Sequence, residues 1–220
     1  MNPRIALSGL GVLIVAGAVA FAAQEKVKTF EIDKSADGWL TNNDSKPLRK
    51  ENFQSDGLNP HGSGGYIVMY KIPMKDFKLD FDYKLSKGCN SGVFVRVGNP
   101  KDPIMTGLEI AIDDTTGTGV HDSGAVYDLV APKTNAQKPA GEWNHMTIVA
   151  NGPKIDVTIN DEHVSSINLD QWTEKGKRPD GSSHKFSEVT VKNLNQKGYF
   201  GFQDHGQNCW YKNIEVTPLD

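Results

Sequence analysis

From residue 79 onward the chain keeps returning to one pattern that narrows its possible folds. Apolar residues occupy every second position in short runs, and Gly, Pro, Asn or Asp interrupt them about every ten residues. In LDFDYKL, Leu79, Phe81, Tyr83 and Leu85 share one face while Asp80, Asp82 and Lys84 share the other. Side chains of an extended strand alternate between faces, so this is a half-buried strand. LEIAIDD repeats the pattern, with Leu108, Ile110 and Ile112 opposite Glu109, Ala111 and Asp113. SGVFVRV (91–97) is apolar on both faces, which predicts a strand covered on both sides. Two further runs, NHMTIVANG and KIDVTINDEHVSSI, predict strands joined at Asn151-Gly152-Pro153 and Asn160-Asp161-Glu162. Residues 188–192 and a hairpin over 198–216 complete the set. After the first residues, no segment holds an apolar period of 3.6 over three turns. Short strands at this spacing predict a sandwich or barrel.

Two stretches break the alternation. Residues 115–142 are rich in Thr, Gly, Pro and Lys, and residues 170–187 include TEKGKRPDGSSHKF. Insertions of that length in a compact domain are usually functional or disordered. With 37% hydrophobic residues and 22 glycines, the composition suits many turns around a real core.

The N-terminus predicts export. Arg4 is the only charge before Glu25, an apolar stretch follows it, and the exit is small-residue, with Ala20 and Ala22 in an A-x-A pattern. This reads as a signal peptide over residues 1–22 and a single domain over 23–220, secreted or periplasmic, with no stable membrane insertion after cleavage. The formal charge of −3 gives no case for nucleic acid or an anionic membrane. Cys89 and Cys209 both fall at strand boundaries, where they form either a disulfide or two separate core thiols.

Three groups of residues carry chemistry. Arg96 is the odd polar residue on an apolar strand, and a buried guanidinium needs a partner, which Glu109 or Asp113 can supply. That grouping is either a structural ion pair or the polar floor of a binding face. The second group, His121, Tyr127, Lys133 and Lys138, lies in the long insertion, where each alone reads as a surface residue. The third is Gln203, Asp204 and His205, which place an amide, a carboxylate and an imidazole together at one bend. Trp39, Trp143, Trp172 and Trp210 are either core or sugar-stacking surfaces.

Several segments, in order, resemble the 3-keto-disaccharide hydrolase family. They are DFKLDFDYKLSKGCNSGVFVR (76–96), TGLEIAIDD (106–114), SGAVYDLVAP (123–132), KPAGEWN (138–144), KRPDGSSHKF (177–186) and GYFGFQDHG…WYKNIEV (198–216). Residues 39–70 are only loosely similar. The resemblance implies a concanavalin A-like jelly-roll sandwich of two antiparallel sheets, and cleavage of glycosides already oxidised to a ketone at C3. Such a ketone acidifies the C2 hydrogen. A base removes it, the group at C1 leaves, and water adds to the enone, giving net hydrolysis. On this reading His205 or Glu109 is the base or acid, and Arg96 stabilises the enolate. Asn90, Asp113, His121, Tyr127, Lys138, Trp143, Gln203 and Asp204 contact the sugar. No cofactor is assigned. A divalent cation on Asp204 and Glu109 stays open, because Asp, Glu and His are too scattered to define a shell. Two alternatives stand beside this one. One is a glycoside hydrolase using Glu109 and Asp113 as paired carboxylates, and the other is a carbohydrate-binding module without chemistry.

Overall fold

A computed structural model describes residues 28–32, 35–43 and 47–219. The export signal expected over 1–22 lies outside the described residues. Among the described residues thirteen strands occur in chain order: β1 (Phe30–Glu31), β2 (Trp39–Thr41), β3 (Phe53–Gln54), β4 (Gly57–Leu58), β5 (Ile67–Tyr70), β6 (Phe77–Leu85), β7 (Asn90–Val97), β8 (Leu108–Asp113), β9 (Trp143–Asn151), β10 (Lys154–Ile159), β11 (Glu162–Asn168), β12 (Tyr199–Gln203) and β13 (Cys209–Pro218). One four-residue helix, α1 (Pro103–Thr106), precedes β8, and Asp102 caps it by accepting from the Met105 N–H.

The strands form two antiparallel sheets packed face to face. The larger runs β11-β10-β9-β6-β13-β4-β3, with β1 added beside β13, and the smaller runs β2-β5-β12-β7-β8. This is the concanavalin-like sandwich. The alternation explains the packing. Phe77, Leu79, Phe81, Tyr83 and Leu85 of β6 are all buried and meet Phe200 and Phe202 of β12 across the interface. Trp39 is fully buried there and donates its indole N–H to the Ile32 carbonyl. At the β10–β11 turn Asn160 and Asp161 both adopt positive φ, the geometry that a two-residue hairpin connection needs.

Two expected elements come out differently. Residues 198–216 are not a hairpin, because β12 belongs to the smaller sheet and β13 to the larger. Phe202 and Tyr211 stack with ring centroids 4.0 Å apart, so the two strands meet through side chains. Both carry large aromatics on their inward faces, and burial of those rings favours opposite layers over edge-to-edge pairing. The strand expected at 188–192 is instead a short 3-10 turn, Val191–Asn193. The two insertions contain no named strand, as their composition implied.

Cys89 and Cys209 are both buried and do come together, as free thiols. The Cys209 thiol hydrogen-bonds with Cys89 and Tyr211, and burial pushes its pKa well up. Among the described residues no helix is long and apolar enough to cross a membrane.

Candidate active site

The outer face of the smaller sheet carries the site. Val68, Val93, Val95, Ile110 and Phe202 point inward to the main core. Their neighbours Ile67, Met69, Phe94 and Val97 point outward and form a second, small apolar cluster. Beside this floor lie Glu109 of β8 and Gln203 of β12, only 6% and 3% exposed. Glu109 lies over Gly92, where a Cβ would stand 2.7 Å from its Oε1. A glycine inside a strand is costly, and here it makes room for the carboxylate.

Loops supply the walls. Residues 124–127 run along the free edge of β8, where the Ala111 N–H donates to the Ala125 carbonyl at 3.0 Å and the Tyr127 N–H to the Glu109 carbonyl at 2.8 Å. Tyr127 is thereby fixed beside Glu109. From the other insertion comes Lys185, its Nζ 5.0 Å above the Tyr127 ring and 5.2 Å from the Phe186 ring. Tyr66 enters from the segment before β5, and Ile104 from α1. Together with Asn90 and His205 these residues enclose a cavity of about 140 Å³.

Two buried polar atoms in this cavity have no hydrogen-bond partner among the described residues, Lys185 Nζ and Gln203 Oε1. Buried polar groups are nearly always paired, and leaving one unpaired costs free energy. One is a cationic donor and the other an acceptor, so a ligand with both hydroxyl and carbonyl character satisfies them together. The Gln203 amide already donates to the Tyr66 hydroxyl and, at 3.4 Å, to Glu109 Oε1. Ser91 Oγ anchors the Gln203 carbonyl at 2.8 Å.

The electrostatics suit proton transfer. Burial raises the Glu109 pKa to about 7, against the opposing pull of Lys185 and the Gln203 hydrogen bond. Burial lowers that of Lys185, while Glu109 and Asp128 hold it up. Tyr66 is pushed to about 12 by burial and by the Glu109 charge. A carboxylate that titrates near neutrality is suited to be a general base.

Five expected residues therefore meet in one cavity: Asn90, Glu109, Tyr127, Gln203 and His205. His205 is at the rim, its exposed ring 6.5 Å from that of Tyr66.

Arg96 does not join them. It lies in a bulge of β7, with φ of 54° and a register shift against β12. The bulge reverses the alternation, so that Val97 takes the outward place and Arg96 turns away. Its guanidinium pairs with Asp76 at 3.0 Å and donates to the carbonyls of Lys75 and Gly152. It is a structural ion pair, and its partner is neither Glu109 nor Asp113. The lysine that lines the cavity is Lys185.

The remaining expected contacts lie outside the cavity. Asp113 is held by Ser123 Oγ at 3.1 Å. The Asp204 carboxylate accepts from the Gly62 and Gly206 N–H groups, both at 2.9 Å, and faces His61 Nδ1 at 3.3 Å, so it shapes the bend and does not converge on Glu109. His121 stacks on Tyr127 from outside, with ring centroids 4.5 Å apart. Trp143 sits on the larger sheet, with the ammonium groups of Lys84 and Lys212 5.0 and 3.7 Å from its ring centroid. Lys138 Nζ donates to the Trp143 carbonyl at 3.2 Å. Among the described residues no three His, Cys, Asp or Glu side chains are grouped to hold a metal ion.

Sequence reasoning missed Lys185, Tyr66 and Ile104. Lys185 lies inside a segment that carried the family resemblance, so that segment was the available signal. Tyr66 lies in the loosely similar stretch 39–70.

Solved structures share this architecture. A provisionally named glycosyl hydrolase from Parabacteroides distasonis is 33% identical, with a TM-score of 0.66 over 70% of this chain and 83% of that one. The carbohydrate-binding module CBM66 from Bacillus subtilis shares the fold at 14% identity, with a TM-score of 0.50 over 82% of this chain and 95% of that one. Family and homologues make the chain a carbohydrate-active, hydrolase-like sandwich protein. Residues 26–217 match the family described as the 3-keto-alpha-glucoside-1,2-lyase-like domain, and the chain belongs to that family. A 3-keto-disaccharide hydrolase from Bacteroides thetaiotaomicron is 27% identical over 257 aligned positions, covering 93% of this chain and 88% of the relative.

Proposed function

We propose that the protein cleaves 3-keto-glycosides by β-elimination followed by hydration. The observation that carries the reading is the pairing of charges in the cavity. Glu109 is the one carboxylate among its described lining residues, and Lys185 is a buried ammonium with no hydrogen-bond partner among the described residues. Hydrolysis by paired carboxylates needs two acids across the bond. Elimination needs one base and a cation or donor for the enolate oxygen.

In the proposed sequence Glu109 takes the proton from C2, and the electron pair of the C–H bond moves toward the C3 ketone. Lys185 holds the oxygen as its charge grows. The enolate then reforms the ketone, the C1–C2 double bond forms and the C1–O bond breaks. His205, at the rim, gives the leaving oxygen its proton. Water then adds at C1, giving its proton to His205 and so restoring it, while Glu109 returns a proton to C2, so the net change is hydrolysis. Gln203 Oε1 accepts from a sugar hydroxyl and fixes the ring. The family description and the name of the Bacteroides relative support this substrate class. The apolar leader with its small-residue exit supports a secreted or periplasmic location.

The test is incubation with a 3-keto-glucoside while enone absorbance and product are followed. We expect turnover by the native chain, and a loss of about 10²–10⁴-fold in kcat for Glu109→Gln with substrate binding retained. His205→Ala is expected to lower kcat more for poor leaving groups than for good ones. No turnover by the native chain, with sugar binding intact, favours a carbohydrate-binding module.

A further inference from the structure

Lys185 has no strand to hold it, yet the proposed chemistry depends on where its ammonium sits. Its main-chain N–H donates to Asp128 Oδ2 at 2.6 Å. The other oxygen of that carboxylate accepts from Arg178 Nη2 at 3.0 Å, and the same nitrogen donates to the Asp128 carbonyl at 2.7 Å. Arg178 Nε reaches the Leu129 carbonyl at 3.2 Å. Its Nη1 donates to Ser182 Oγ at 3.2 Å and also to the Ser183 carbonyl. One guanidinium thus ties together both long insertions: Asp128 and Leu129 in the first, Ser182 and Ser183 in the second. Asp128 itself has φ of 59°, a left-handed conformation that Asp tolerates better than most residues. Every bond from Arg178 lies within three residues of Tyr127 or Lys185, the wall residues that the two insertions supply to the cavity.

We infer that Asp128 and Arg178 form a clasp that closes the two insertions on each other and holds the Lys185 ammonium over the cavity, which makes Asp128 a positioning residue for the reaction. A flexible lysine is a poor electrostatic device unless its backbone is fixed, and misplacement by about 1 Å can cost 10²-fold in rate. The clasp fixes that backbone from outside the cavity. It rests on the reading of Glu109 as base and Lys185 as the cation opposite.

Several groups bear on the outcome. Glu109 faces Lys185, Tyr66, Tyr127 and Gln203, with His205 at the rim. Asp128 faces Arg178 and, at 3.6 Å, His121 Nε2. Removing the clasp lets the ammonium move away from Glu109, so the carboxyl should keep its proton to higher pH.

The test uses the full chain with Asp128→Gly, which deletes the carboxylate while glycine keeps the left-handed backbone available. Arg178→Lys is the second variant. It keeps the charge and the Asp128 bond to Lys185 but loses the planar fork. Lys185→Met is the reference. Two readouts are taken: the pH dependence of kcat and KM on a 3-keto-glucoside, and titration of Glu109 by NMR of ¹³C-labelled glutamate, which needs no turnover. We expect Asp128→Gly to lower kcat about ten- to hundredfold, with KM changed less, and to move the Glu109 titration upward in the direction of Lys185→Met. Combined with Lys185→Met it should add little, because the two act through one ammonium. Arg178→Lys should fall between native and Asp128→Gly, and it decides the matter if the glycine variant does not fold. The clasp is overturned if the native chain turns over substrate while both variants keep native kcat and native Glu109 titration. If the native chain is inactive, the reading of the function fails, and the NMR titration still reports whether the clasp sets the position of Lys185.

Discussion

Glu109 and Gly92 must be considered together. The carboxylate occupies the space that a side chain at position 92 would need. Gly92→Ala therefore pushes the base out of place, while the flexible Glu109 side chain lets the strand survive. We expect kcat to drop by about tenfold to hundredfold with a nearly native melting temperature. The pH profile follows from the same carboxyl. In the proposed reaction Glu109 acts deprotonated, so kcat/KM should rise with pH through about 7, where it is half-maximal, and level off above that. Lys185→Met removes the main charge that lowers the Glu109 pKa, so its acid limb should move to higher pH as its plateau falls. A profile whose acid limb is unchanged in that variant would separate the two groups.

Among elements, the bulge in β7 marks where alternation stops being a guide. Up to Phe94 the strand obeys period two, and Gly92 and Phe94 do share the outer face with Glu109. One residue in left-handed backbone then reverses the parity, and Arg96 finds Asp76 instead of the cavity. Nothing in the run SGVFVRV signals that reversal, because Val flanks the bulge on both sides. The consequence is measurable. Arg96→Ala leaves a buried Asp76 carboxylate without its guanidinium, which typically costs about 3–5 kcal/mol. Its urea midpoint should fall sharply, while kcat on folded protein stays native. Strands β6–β13 and, in the cavity, Glu109, Gln203 and His205 were legible because period two and a polar triplet at a strand end are local signals, while Asn90 and Tyr127 entered as sugar contacts through the family resemblance. Lys185 was not. It stands in a run with Lys175, Lys177 and Arg178 that reads as a solvated loop, and only closure against Asp128 buries it. Asp204 misled for the opposite reason. Its place beside His205 is local, but its carboxylate is spent on the turn that carries Gly62 and Gly206.

For the whole molecule, the site carries a stability cost with a definite sign. Glu109 holds its proton to about pH 7 in the fold, against 4.5 for an ordinary glutamate. Stability from this group is fully present below pH 4.5 and is lost as pH rises through 7, to a total of roughly 3 kcal/mol. Glu109→Gln should therefore melt higher than the native chain at pH 8 and match it near pH 4, while losing turnover. A variant equally stable at both values would mean that the carboxyl is solvated and not poised. The two insertions make a cavity out of an open sheet face, and the sandwich beneath them is a scaffold shared with a carbohydrate-binding module. The proposed enzyme differs from such a module in removing the C2 hydrogen. The most direct measurement is the isotope effect on kcat/KM with a 3-keto-glucoside deuterated at C2. The account predicts a primary effect in the native chain, with deuterium lost from C2 to the extent that the Glu109 carboxyl exchanges with water before it returns a proton. A value of unity, with deuterium retained in the product, would contradict it.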